Sequence, residues 1–265
     1  MSESLVDLAA SANSAIAEDA PSIDSPPKNG VQLIRGVYNS ATEEWEKDAI
    51  VRELTGEDEE YLASLDARSE LTYNDYIGAL LTRAVVSIGS QKVDNNPNIV
   101  DDLIIGDRDL LFLGVVRSTY GRNREMVLMC GNCNESNDVT IDLEEDFKVK
   151  DTDVDLTKPV AVLLKDGSTV SFHYPTAGDS RMATKKATTV AEQNTLIISR
   201  CYISSMSRED KDLWARKLSV ADRKKIVKAL TSAQPGPKMG EVETQCAHCQ
   251  ETLTVVIDWV SLLFG

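Results

Sequence analysis

Cys130-Gly131-Asn132-Cys133 and Cys246-Ala247-His248-Cys249 are two copies of one short pattern set far apart in the chain. The likeness continues past the cysteines. Val139 and Val255 stand at matching positions, as do Ile141 and Ile257, Asp142 and Asp258, then Leu143 and Trp259. A tight Cys-x-x-Cys turn offers two thiolates, and tetrahedral zinc takes four ligands. The period-two apolar residues downstream suit a strand leaving each turn. The two stretches read as the halves of one zinc ribbon, joined by a structural Zn2+ on Cys130, Cys133, Cys246 and Cys249. Spacing alone does not separate zinc from iron. Reduced cysteines packed in a core and dithiol redox chemistry are the other readings of the same four residues.

The chain has 265 residues, enough for a substantial core in one or two domains. No stretch is long and apolar enough for a membrane span, and Met1-Ser2-Glu3-Ser4 does not open a signal segment. Five cysteines, four in ligand spacing, fit a reducing compartment. Cys201, the odd one, lies in an apolar run and reads as a buried structural residue. The net charge is −15 and concentrates before residue 67. Acidic residues also line both ribbon arms: Glu135, Asp138, Asp142, Glu144 and Glu145 on the first, Glu241, Glu243, Glu251 and Asp258 on the second. Phosphate contacts need clustered Lys and Arg, so nucleic acid is a poor partner. Lys185-Lys186 and Arg223-Lys224-Lys225 read as solvated helix faces.

Along the chain, residues 1–30 read as a flexible acidic tail, with an amphipathic stretch at Leu5–Ala17 that a partner would order. Strands are predicted at 31–38 and 49–54. Thr55 with Asp58, Thr72 with Asp75, and Ser219 with Asp222 are helix-start signals. The second of these helices is expected to run through Ile88, and the third to about Thr231. Asp107 is expected to cap a helix over 108–120 that Gly121 ends. Asp166-Gly167 marks a hairpin between 160–164 and 169–174, with His173 on its polar face. Residues 180–206 read as a helix broken near 188–190, and 206–218 as another. The apolar end, with Trp259, Leu262, Leu263 and Phe264, is expected to dock on the chain's own core or on another subunit. The helices near 57–65 and 73–88 are expected to supply core or subunit contacts as well.

With these segments in order, the sequence resembles the baseplate protein family of T-even-like contractile-tailed bacteriophages, over roughly residues 31–265. The resemblance rests on the stretch Val51-Arg52-Glu53-Leu54-Thr55-Gly56-Glu57-Asp58-Glu59-Glu60, the Leu110–Arg117 helix, the Asp-Gly hairpin, the helix after Ser219 and the terminal Cys-x-x-Cys arm. That family contains baseplate hub subunits and hub assembly chaperones. It implies a structural part in a baseplate hub, with other baseplate or tail proteins, or further copies of the chain, as partners. It also implies a place in the virion tail after assembly in the host cytoplasm. A transient assembly chaperone is the alternative role, and a nucleic-acid-binding zinc ribbon a more distant one.

Enzyme signatures are missing. There is no phosphate loop, dinucleotide fingerprint or His-Glu-x-x-His, and only His173 and His248 offer imidazole. A four-thiolate site leaves a metal no open position for substrate. The expected architecture is α+β, a mixed helical and antiparallel-strand domain with a split four-cysteine zinc ribbon. Its parts are a mixed N-terminal domain at 31–123, ribbon halves at 124–143 and 241–265, and a hairpin and helical insertion at 144–240.

Overall fold

β1 (Gly30–Asn39) and β2 (Glu44–Val51) pair antiparallel. The structure, a computed structural model, describes residues 29–66, 72–147, 149, 154–232, 234–237, 241–256 and 262–263. The 1–30 tail and the Leu5–Ala17 stretch lie essentially outside these. β2 starts earlier than the 49–54 strand expected from sequence and stops at Val51, because Arg52 turns away to meet Asp58. α1 (Gly56–Asp66) follows, then α2 (Tyr73–Ala84), which opens with the expected capping box between Thr72 and Asp75. α2 does not reach Ile88. Its last residues are followed by the β-branched pair Val85-Val86, and Val85–Ile88 forms β3 against β2. Gly89, at φ 56°, turns the chain into β4 (Gln91–Lys92). The sheet order is β1-β2-β3-β4.

α3 (Ile105–Tyr120) lies across this sheet and ends at Gly121 as expected. Its contact with β1 is close: a Cβ on Gly114 would collide with Val31 Cγ2. Asp107 does not cap this helix. The β1–β2 register breaks between Gln32 and Val37, where Gly36 takes φ 73°. The Asp107 carboxylate accepts the released N–H groups of Ile34, Arg35 and Gly36 at 2.6, 3.2 and 2.8 Å. It is an anchor for a bulge 71–73 residues away, and burial pushes its carboxyl up despite the three bonds.

β5 (Asn123–Met129) and β6 (Ser136–Asp142) form the next hairpin, and its inner face joins the first core. That core includes Leu80, Leu111, Phe112, Val139, Ile141 and Leu262. Burying each such side chain is worth about 1.5–3 kcal/mol.

The second core is built on the hairpin β7 (Val160–Leu163) and β8 (Thr169–Phe172), turned at Gly167 with φ 86°. After α4 (Ala177–Lys186), which packs on α2 and on the next helix, three helices cover it: α5 (Val190–Cys201), α6 (Arg208–Lys217) and α7 (Val220–Ser232). The break between α4 and α5 falls where Thr189 caps α5 through the Glu192 N–H. α5 stops at Cys201 rather than 206, and β8 stops at Phe172, one residue before His173. Phe172, Ile198, Ile226 and Leu230 fill this core, and Tyr202 stacks on Trp214 at 4.2 Å. Cys201 is buried, as expected. The two cores meet where Ala177 N–H donates to Leu103 O at 2.7 Å and Arg181 pairs with Asp101. β9 (Glu241–Gln245) and β10 (Thr252–Val256) form the last hairpin among the described residues. Helices and antiparallel hairpins in one chain make the fold α+β. Among the described residues no helix is long and apolar enough to cross a membrane.

Candidate metal centre

The two Cys-x-x-Cys turns sit at the tips of the hairpins β5–β6 and β9–β10, and they face each other. All four sulfurs lie within 4.8 Å of one another. Cys130 Sγ is 3.7 Å from Cys249 Sγ, and Cys133 Sγ is 3.7 Å from Cys246 Sγ. A tetrahedron with metal–sulfur bonds of about 2.3 Å has sulfur–sulfur edges of about 3.8 Å. The cluster therefore has the size that metal coordination needs. All four are free thiols in the fold, with Cys130 and Cys246 buried.

The halves repeat each other beyond the residues that spacing showed. Cys130 N–H donates to Glu135 O and Asn134 N–H to Cys130 O, both at 2.9 Å. Cys246 N–H to Glu251 O and Gln250 N–H to Cys246 O are the same pair of bonds at the same length. Asn134 and Gln250 take the left-handed conformation at φ 57° and 63°, which lets each turn close over its sulfurs. Strand register repeats too: Met129 opposes Ser136 as Gln245 opposes Thr252, and Met126 opposes Val139 as Val242 opposes Val255. Sequence reading found the strand leaving each turn and missed the one entering it.

One departure from this symmetry ties the halves together. Asn137 is buried, and its side-chain oxygen accepts the Ala247 N–H of the other turn at 2.9 Å. The matching position in the second half is Leu253, which packs beside Cys130 and Cys246. Aligning the two halves exposes this mismatch, so the signal was in the sequence. Asn132 Nδ2 also reaches Cys249 Sγ at 3.7 Å.

The thiols are electrostatically unequal. Backbone N–H groups of Cys249 and then His248 hold the Cys246 thiol down at about 6. Cys133 has the Glu135 N–H in its favour, yet desolvation and the neighbouring thiols push it up to about 12. Like groups this close cannot all ionise unaided, and a divalent cation is the partner that would let them. His248, inside the second turn, is exposed.

Of the terminal residues singled out from sequence, Leu262 and Leu263 are buried in the first core. Trp259 and Phe264 lie outside the described residues. Asp58 does more than start a helix. Its buried carboxylate accepts from Arg52 Nη1 at 2.6 Å, Arg83 Nε at 2.7 Å and the Thr55 N–H at 2.9 Å. These donors, Arg52 foremost, hold it well below the ordinary carboxylate range. The Val51–Glu60 motif is thus an internal clamp joining β2, α1 and α2.

A second trio of ligand types, His173, Asp179 and Cys201, is already committed to the protein. The two ring nitrogens of His173 lie 2.9 and 3.1 Å from the carbonyls of Tyr174 and Arg200. Asp179 caps α4 and accepts from Arg200 Nε at 2.6 Å.

No curated protein and no solved structure matches the chain. A family profile does, and it spans both hairpins and all four cysteines. Its match covers residues 38–265, and the chain belongs to the family described as T4 bacteriophage base plate protein.

Proposed function

We propose that this chain is a permanent structural component of the base plate hub, and that its fold is completed by one zinc ion on Cys130, Cys133, Cys246 and Cys249. Family membership gives the coarser statement: a structural base plate protein of the phage tail, making protein–protein contacts rather than carrying out catalysis. The observation that carries the finer reading is the way both ends of the metal-bridged segment return to one core. Val139 and Ile141 on one side and Leu262 and Leu263 on the other are buried together in it. Residues 144–240 then form an insertion held between the ribbon halves. A cross-link across so long a loop suits a part that stays ordered and bears load. Four thiolates complete the coordination sphere, so the ion holds structure and leaves no position for substrate.

Mass spectrometry of purified mature particles tests the role. Recovery of the chain in fixed ratio to the other base plate proteins is the expected result. Its presence in assembly intermediates and absence from mature particles would replace this reading with a departing assembly chaperone.

A further inference from the structure

The outward face of β5 carries two large apolar side chains in a row, Val127 at 69% exposure and Met129 at 67%. Their inward neighbours Met126 and Leu128 pack on the first core, so the strand has its buried face already. Single exposed apolar residues need no explanation. Here the molecule supplies its own control. The second hairpin has the same register and the same turn, and at the positions matching Val127 and Met129 it carries Glu243 and Gln245, both exposed. The same hairpin geometry therefore forms with polar residues at these sites, and register and turn do not ask for Val and Met.

The frame of this pair is acidic. Asp138 lies directly across from Val127, Glu125 is the next outward residue along β5, and Glu135 stands in the turn beyond Met129. All three are exposed, and among the described residues none has an ion-pair partner, whereas Asp142, Glu144 and Glu145 nearby are taken by Arg117 and Arg122. We infer that this face docks a segment of a different base plate protein that presents an apolar side chain flanked by lysine or arginine. The inference rests on the base plate reading above and gives it a surface. A second copy of this chain meeting the same face would oppose three carboxylates with three more.

The test uses assembled base plates of the same phage, with the free chain as reference. Hydroxyl-radical oxidation should slow several-fold at Met129 on assembly. A zero-length carboxyl-to-amine cross-linker should join Glu125, Glu135 or Asp138 to a lysine of another base plate protein. The V127E/M129Q variant, which copies the second hairpin, should keep its thermal midpoint and metal content and lose most of its incorporation. Present in base plates with Met129 as reactive as in the free chain, or cross-linked there only to another copy of itself, the chain would overturn this inference and leave the base plate role standing. Absence of the chain from base plates would overturn both.

Discussion

The two ribbon hairpins share a register, a turn and two cysteines each, and they are held in place by different means. β5–β6 buries Val139 and Ile141 in the first core, where Leu143 and Phe147 follow them. β9–β10 contributes Leu253 to a small cluster with Cys130 and Cys246. Apart from the contacts made by its sulfurs, its side chain-mediated hydrogen bond to the other half, among the described residues, runs from the Ala247 N–H to Asn137. Among the described side chains, the β5–β6 hairpin is seated by hydrophobic burial and the β9–β10 hairpin mainly by its cysteines, with Leu262 and Leu263 beyond it in the first core. A duplicated element can thus keep its local geometry while its stability comes from unlike sources.

The largest effect should come from removing the second pair. Cys246→Ser with Cys249→Ser should release the metal and reopen the long loop, at a cost of about 4–5 kcal/mol by the loop-closure argument. Hydrogen exchange should rise across 241–256 and stay low across 123–142. Equal loss of protection in both hairpins would remove the distinction between them.

Attacking the burial should do the reverse. Ile141→Ala leaves a cavity in the first core and should cost about 3 kcal/mol, read as a lower denaturant midpoint. Metal stoichiometry at low denaturant should stay unchanged.

Acid should weaken the first core through Asp58. The fold holds this carboxyl below its ordinary range, so its contribution is complete above the unfolded value of about 4 and is lost as pH falls through the folded value. Asp58→Asn should cost about 2–3 kcal/mol at neutral pH, since it leaves Arg52 and Arg83 without their shared carboxylate. Denaturation curves at pH 7 and pH 3 should differ less for the variant than for the wild type.

The smallest effect concerns the bridge. Asn137→Leu places in the first half what the second half has at Leu253. It removes the Ala247 acceptor and should cost about 1 kcal/mol. It should also speed metal loss to a chelator without altering the first core.

What the sequence made legible follows the range of the interactions. The Cys-x-x-Cys turns, the Thr72–Asp75 capping box and the Asp166-Gly167 hairpin are settled within a few residues, and all appear in the structure. From sequence Asp107 reads as a local cap, because its partners, the N–H groups of residues 34–36, are remote in the chain. The overrun of α2 into Val85–Ile88 has the same origin: pairing with β2 decides those residues, and helical periodicity cannot report it. Strand β5 is hard to see in the sequence because its outward face carries Val127 and Met129, which blur the alternation that marks a half-buried strand. The convergence of the four sulfurs was legible only because the pattern occurs twice.

The central claim is that one metal ion joins the two hairpins through four sulfurs. X-ray absorption spectroscopy on freshly purified full-length protein, paired with elemental analysis, tests it most directly. The account predicts one zinc per chain with four sulfur neighbours at about 2.3 Å. A metal-free protein with its fold intact, or a metal ringed by fewer sulfurs with nitrogen or oxygen making up the shell, would contradict it.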